Sequence, residues 1–158
     1  MKQKNDHRLP ATIDPSWRIG IVAARFYEEE TDALIEGARR TLIEAGISAE
    51  NVTVHEAPGS FEIPLIGSAL AEAKKVDGLI GIGIIVEGET HHARLLAEAT
   101  THGIMETQLK YGIPFAFEVL YVDSLQDAQE RTKGDHNKGI EAAIAVLKAL
   151  ETLKSVSP

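Results

Sequence analysis

From Arg18 onward, apolar runs and helical patterns alternate along the chain. Ile19–Ala24 (IGIVAA) is short and apolar, as a buried strand is. Residues 31–45 put Leu34, Ala38, Leu42 and Ala45 on one helical face, and Gly46 follows as a stop. Val52–Ala57 alternates as a strand does. Residues 64–75 are alanine-rich and open with Pro64 in a first helical turn, where its missing N–H costs little. Gly78–Val86 is apolar on both faces, the pattern of a central parallel strand. Residues 90–110 predict a long helix that turns Leu96, Ala99 and Gly103 toward the sheet and ends at Gly112. A fourth strand is expected over 113–121. Ser124, three residues before Asp127, starts a short helix that reaches Arg131. The polar loop 132–136 leads into a closing helix with Ile140, Ala143, Ile144, Leu147 and Leu150 on one face.

That order predicts an α/β fold: a three-layer α/β/α sandwich around a four-stranded parallel sheet. A single domain is expected over 18–158, after a polar N-terminal tail over 1–17 that holds Pro10 and Pro15. Trp17, the only tryptophan, is expected to pack on the domain or to touch a neighbouring subunit.

Composition narrows the chemistry. The chain has 158 residues, 44% of them hydrophobic and 25% charged, as one globular domain does. It has no cysteine, which excludes disulfides, zinc–thiolate sites, iron–sulfur clusters and a thiol nucleophile. A net charge of −8 argues against duplex nucleic acid or an anionic membrane as the main partner. A small anionic ligand stays open, because one or two local cations hold a phosphate. The longest apolar run, 79–86, is far short of the ~18 residues that span a bilayer. The first residues lack the apolar stretch of a secretory signal, so the cytoplasm is the expected address. No GxGxxG, GxxxxGK[ST] or GxSxG occurs. His91 and His92 diverge by about 100° on a helix, which suits no metal.

In an open parallel sheet, ligands bind beyond the carboxyl ends of the strands. The unusual residues of this chain fall there: Arg25-Phe26, then Pro58-Gly59-Ser60-Phe61-Glu62, then Glu87-Gly88-Glu89-Thr90-His91-His92, then Phe117-Glu118 and on to Arg131. Each also has a plain structural reading. Phe26 could cap the core, and Glu62 could complement a helix dipole. Arg131 and Lys138 could be surface charges. The two histidines could be solvated first-turn residues, and His55 and His102 read as structural. The glycine-containing turn before Thr90 and His92 is the sharpest signal. It offers free N–H groups, a hydroxyl and an imidazole that can give or take a proton. The residues alone therefore indicate acid–base chemistry on a small phosphate ester beside an aromatic ring, with no cofactor and no metal.

At these same loops the chain resembles the 6,7-dimethyl-8-ribityllumazine synthase family. The resemblance runs from about Arg18 to Leu153, through Arg25-Phe26, the run from Pro58 to Pro64, and Gly83 with Gly88-Glu89-Thr90-x-His92. It continues through Gly112-Ile113-Pro114 with Phe117, Gln129-Glu130-Arg131 and Asn137-Lys138-Gly139. It implies a flavodoxin-like fold and the penultimate step of riboflavin biosynthesis. In that step 5-amino-6-(D-ribitylamino)uracil condenses with 3,4-dihydroxy-2-butanone 4-phosphate. By position, Phe26 would stack on the pyrimidine, and Ser60, Phe61 and Glu62 would meet the ribityl chain. The backbone of Ile84, Ile85 and Val86 would read the pyrimidine edge. Glu89 and Thr90 would lie at the phosphate and His92 would donate a proton. Phe117 would belong to the pyrimidine pocket, Arg131 would clamp the phosphate, and Lys138 would line the site. A homo-oligomer is implied, a pentamer or a multiple of it up to an icosahedral capsid, with Phe117 reaching a neighbour's pocket. Riboflavin synthase is the protein partner the resemblance suggests. Glu87, Ala93, Arg94 and Glu118 depart from the family pattern. An archaeal-type riboflavin synthase-like dismutase and a slow flavin- or lumazine-binding shell paralogue are the alternative readings.

Overall fold

The computed structural model describes residues 6–158. The portion of the expected tail over 1–5 lies outside the described residues. Four strands form one parallel sheet: β1 (Ile19–Ala24), β2 (Val52–Ala57), β3 (Gly78–Val86) and β4 (Phe115–Val122), in the order β2-β1-β3-β4. Between and after them run α1 (Glu28–Glu44), α2 (Ile63–Glu72), α3 (His92–Tyr111), α4 (Leu125–Glu130) and α5 (Lys138–Val156). Among the described residues no helix is long and apolar enough to cross a membrane.

The alternating strand residues build two cores, as three layers require. Ile19, Ile21, Ile80 and Ile82 point to one face and pack with Leu34, Ala38 and Leu42 of α1 and Ala143, Val146 and Leu147 of α5. Val22, Leu79, Ile85, Phe115 and Val119 point to the other, under α2 and α3. Trp17 is buried in the first core, so it packs on its own domain. The tail before it lies along α5: Asp6 pairs with Lys148, the Thr12 N–H donates to Glu151 and Asp14 approaches Lys154.

Several boundaries move from the sequence expectation, each for a local reason. α1 starts at Glu28, because Glu28, Glu29 and Glu30 put negative charge at the positive end of the helix. α2 stops at Glu72 because Lys74 adopts a left-handed conformation (φ 53°) and the Lys75 N–H turns back to the Leu70 carbonyl. β4 begins at Phe115, two residues late. Pro114 has no N–H to give, and the Phe115 N–H is taken by the Gln108 side chain at 2.9 Å. The α3 face is also corrected. Ala93, Ala97, Thr100, Ile104 and Thr107 are its buried residues, whereas Ala99 is exposed and Leu96 and Gly103 are half-buried. The expected stripe is offset by one residue because α3 must also cover α2. Gly103 lies against Pro64, 2.7 Å from where its β-carbon would be.

α1 and α5 cross closely at Asn137 and Gly139. The Asn137 side-chain amide donates to the carbonyls of Ala33 (2.9 Å) and Thr132 (3.0 Å), and its oxygen caps α5 by accepting from the Gly139 N–H (2.8 Å). A β-carbon on Gly139 would overlap the Leu34 carbonyl oxygen. Alanine in place of a helical glycine ordinarily stabilises by about 1 kcal/mol. Here Gly139→Ala should instead destabilise by about 1–3 kcal/mol, measured by urea denaturation; a gain in stability would contradict the close crossing.

Candidate active site

The strands end at different heights, and that difference opens the site. The β1–β3 ladder stops at Ala23–Ile82, while β3 continues beside β4 as far as Val86 and Val122. The backbone of Ile84, Ile85 and Val86 on the β1 side therefore has no strand partner. An apolar cleft of about 820 Å³ lies above this step. Phe26, Ser60, Phe61, Glu62, Ile84, Ile85, Val86 and His92, all expected site residues, line it.

Each is held by local chemistry. Phe26 follows β1 directly, where Arg25 is fixed through its N–H to the Ala57 carbonyl (3.0 Å) and its guanidinium to Asp32 (2.8 Å). The Asp32 hydrogen bond holds the Arg25 guanidinium above its usual range. Phe26 is 66% exposed, so it does not cap the core. Phe61, at 63%, stands equally free on a short 3₁₀ turn, Ser60–Glu62. Ser60 is buried against Gly83, where any β-carbon would strike its hydroxyl, and Thr100 of α3 donates to the Ser60 carbonyl (3.3 Å). One Glu62 oxygen accepts from the Gly59 N–H (3.0 Å), which fixes the carboxylate at the cleft wall. His92 opens α3, with its N–H 3.4 Å from the Thr90 hydroxyl oxygen.

The remaining expected residues stand elsewhere. Glu89 and Thr90 occupy the exposed loop just before His92 and do not line the cleft. Phe117 is on β4 opposite Gly81, 45% exposed. Arg131 ends α4 and donates to the Asp127 carbonyl (2.6 Å), and its own carbonyl accepts from the Lys138 N–H (2.8 Å). Lys138 pairs with Glu141 at 2.7 Å. Arg131 and Lys138 thus lie with α4 and α5, outside the lining of the cleft. The cleft also holds the Pro58-Gly59 turn, which the sequence places at a strand end, and Tyr27, Ala93, Leu95, Leu96 and Ala99, which it does not assign to the site. Among these five, Leu95, an apolar side chain 63% exposed in the first turn of α3, is the one whose position could have pointed there.

Two exposed aromatic rings, a fixed carboxylate, an imidazole and unpaired strand backbone, set beyond the carboxyl ends of a parallel sheet, define a flavodoxin-like α/β protein with a site for a flat, polar small molecule. The family model for 6,7-dimethyl-8-ribityllumazine synthase matches residues 16–154, and the chain belongs to that family. Relatives bearing that name include proteins of Parabacteroides distasonis and Stenotrophomonas maltophilia. The first is 41% identical over 131 residues, 82% of this chain and 82% of the relative. The second is 36% identical over 154 residues, 97% of each chain.

Glu118 is electrostatically unusual. It faces α5 from β4, half-buried beside the Lys138–Glu141 pair. Burial, reinforced by Glu141, pushes its carboxyl up to about 8, although Lys138 pulls the other way. The unfolded chain releases this proton near the model-peptide value of 4.5, while the folded chain keeps it to about 8. Across that window the folded form binds more protons, so stability falls as pH rises. Glu118→Gln should therefore match the wild type near pH ~4 and exceed it by up to a few kcal/mol near pH ~8.5. Denaturant melts at both pH values check this; a difference that does not grow with pH would contradict it.

Proposed function

We propose that the chain is a transferase that condenses 5-amino-6-(D-ribitylamino)uracil with 3,4-dihydroxy-2-butanone 4-phosphate to 6,7-dimethyl-8-ribityllumazine. The observation that carries this reading is the single cleft joining Phe26, the Ser60–Glu62 turn, the backbone of 84–86 and His92. Phe26 stacks on the pyrimidine. The unpaired strand backbone reads its polar edge, and Ser60, Phe61 and Glu62 meet the ribityl chain. The substrate's own amine attacks the ketone and expels its oxygen as water to form an imine. Phosphate is then eliminated, and ring closure by the second amine on the remaining carbonyl releases a second water. The protein's share is to hold both substrates in register and to move protons, with His92 as the donor.

The phosphate needs a cation, and among the described residues no Lys or Arg lines the cleft. Arg131, whose forked guanidinium suits paired phosphate oxygens, lies outside the cleft lining together with Lys138. We therefore read the site as completed by a neighbouring chain in a closed ring of five. In that ring Phe117, Arg131 and Lys138 of one subunit reach the cleft of the next, with Glu89 and Thr90 flanking the phosphate. Heterologous contacts that close on themselves produce such rings. Multiples of the ring, an icosahedral shell among them, and docking of riboflavin synthase extend the same reading.

Mixing both substrates with the purified protein should produce lumazine absorbance and inorganic phosphate, and neither substrate alone should. A folded protein that yields no product would overturn the reading. His92→Ala should lower kcat by roughly 10²-fold or more, and His91→Ala much less; the reverse ranking would move the proton donor to His91. Arg131→Ala should raise KM for the butanone phosphate roughly tenfold or more, the worth of a charge-assisted hydrogen bond. KM for the ribitylaminouracil should stay within about twofold. Equal weakening of both would show a general disturbance of the pocket instead.

A further inference from the structure

Two described residues other than glycine have positive φ, Lys74 and Tyr27. Lys74 ends a helix, where a left-handed residue is ordinary. Tyr27 begins one. At φ 59°, ψ 58° it occupies the N-cap position of α1, where the backbone is normally extended, and its side chain makes no capping hydrogen bond. A bulky residue in this conformation is a true outlier, so helix formation does not account for the tyrosine.

The surroundings hold the turn rigidly. On one side Arg25 is fixed to Ala57, Asp32, Glu28 and Glu56. On the other, the Tyr27 carbonyl accepts from both the N–H (3.0 Å) and the hydroxyl (3.2 Å) of Thr31, whose side chain is buried. The left-handed turn also sends Phe26 outward over Gly59, its ring 3.4 Å from where a β-carbon of that glycine would lie. Tyr27 itself lines the cleft beside Phe26. It is 38% exposed, and its hydroxyl makes no hydrogen bond among the described residues. A strained residue that its neighbours over-determine, at the wall of a binding cleft, is where local strain serves a ligand.

We infer that Tyr27 is a specificity-determining residue for the ring-bearing substrate, a second aromatic wall beside Phe26 retained at the expense of backbone strain. The inference rests on the proposed reaction for the identity of that substrate. The ring supplies apolar contact at low conformational cost, and the free hydroxyl offers a hydrogen bond to a polyol or a heterocyclic carbonyl.

Three variants, each compared with the wild type at one protein concentration, test this. Asparagine tolerates the left-handed conformation. Tyr27→Asn should therefore raise Tm by about 2–4 °C while weakening calorimetric binding of 5-amino-6-(D-ribitylamino)uracil roughly 5–10-fold. KM for the butanone phosphate should not move. Tyr27→Phe, which keeps the ring and the strain, should leave Tm unchanged and bind within about threefold of the wild type. If the asparagine variant does not fold, Tyr27→Leu, strained but without a ring, must show the same loss of affinity. Unchanged affinity in the ringless variants overturns the inference while leaving the reaction intact. A lower Tm together with lower affinity for Tyr27→Asn also overturns it, because that is the mark of a merely structural residue. A wild type that binds the pyrimidine but forms no lumazine defeats the proposed reaction, and the binding comparison still decides the role of Tyr27. A wild type that does not bind it defeats both.

Discussion

The site depends on how closely the turn after β2 can approach β3. Gly83 lacks the β-carbon that would strike the Ser60 hydroxyl, and Gly81 leaves only narrow room for Ile63 and Phe115. With those two positions kept small, the Ser60–Glu62 turn settles onto the sheet and Thr100 ties it to α3. Phe61 and Glu62 then face the step where β3 outruns β1. A methyl group at 83 would strike the Ser60 hydroxyl, which would have to leave its place beside the cleft. The close-packed interior turns one missing carbon into the placement of several functional groups.

Much of this was legible in the sequence because it is written in periodicities. β1, β2 and β3 are short or continuous apolar runs bounded by turn residues, and they fall where those patterns put them. Gly46 and Gly112 end helices with positive φ, as glycine after a helical pattern implies. Residues less tied to periodicity were harder to place. The buried face of α3 lies one position away from its periodic stripe because α2, not only the sheet, decides which side is covered. Tyr27 carried no signal at all, since a left-handed tyrosine contradicts local propensity and becomes visible only through its backbone angles. Of the Asn137-Lys138-Gly139 motif, two members prove to hold helices together: Asn137 links α1 to α5 and Gly139 lets them cross. A short motif can therefore carry packing and chemistry side by side.

The expected site residues fall into two groups. Phe26, Ser60 to Glu62, the 84–86 backbone and His92 converge on one cleft, while Arg131 and Lys138 lie with α4 and α5 outside its lining, and Phe117 stands free on the edge strand. Within the chain, Arg131 is tied to the Asp127 carbonyl and Lys138 to the Glu141 carboxylate. If both groups act on one pair of substrates, copies of the chain set side by side would bring them together, and an acidic protein would then draw its phosphate-binding cation from a neighbour. Assembly and catalysis would be the same event.

Subunit complementation tests that claim most directly. His92→Ala chains and Arg131→Ala chains are each assembled alone, then dissociated, mixed in equal amounts and reassembled, with activity read at limiting butanone phosphate. In a closed ring with sites between chains, roughly a quarter of the mixed sites would combine two intact halves. The account predicts recovery toward that fraction of wild-type activity. Mixed assemblies no more active than the two variants alone would contradict it, because both residues would then serve a site within one chain.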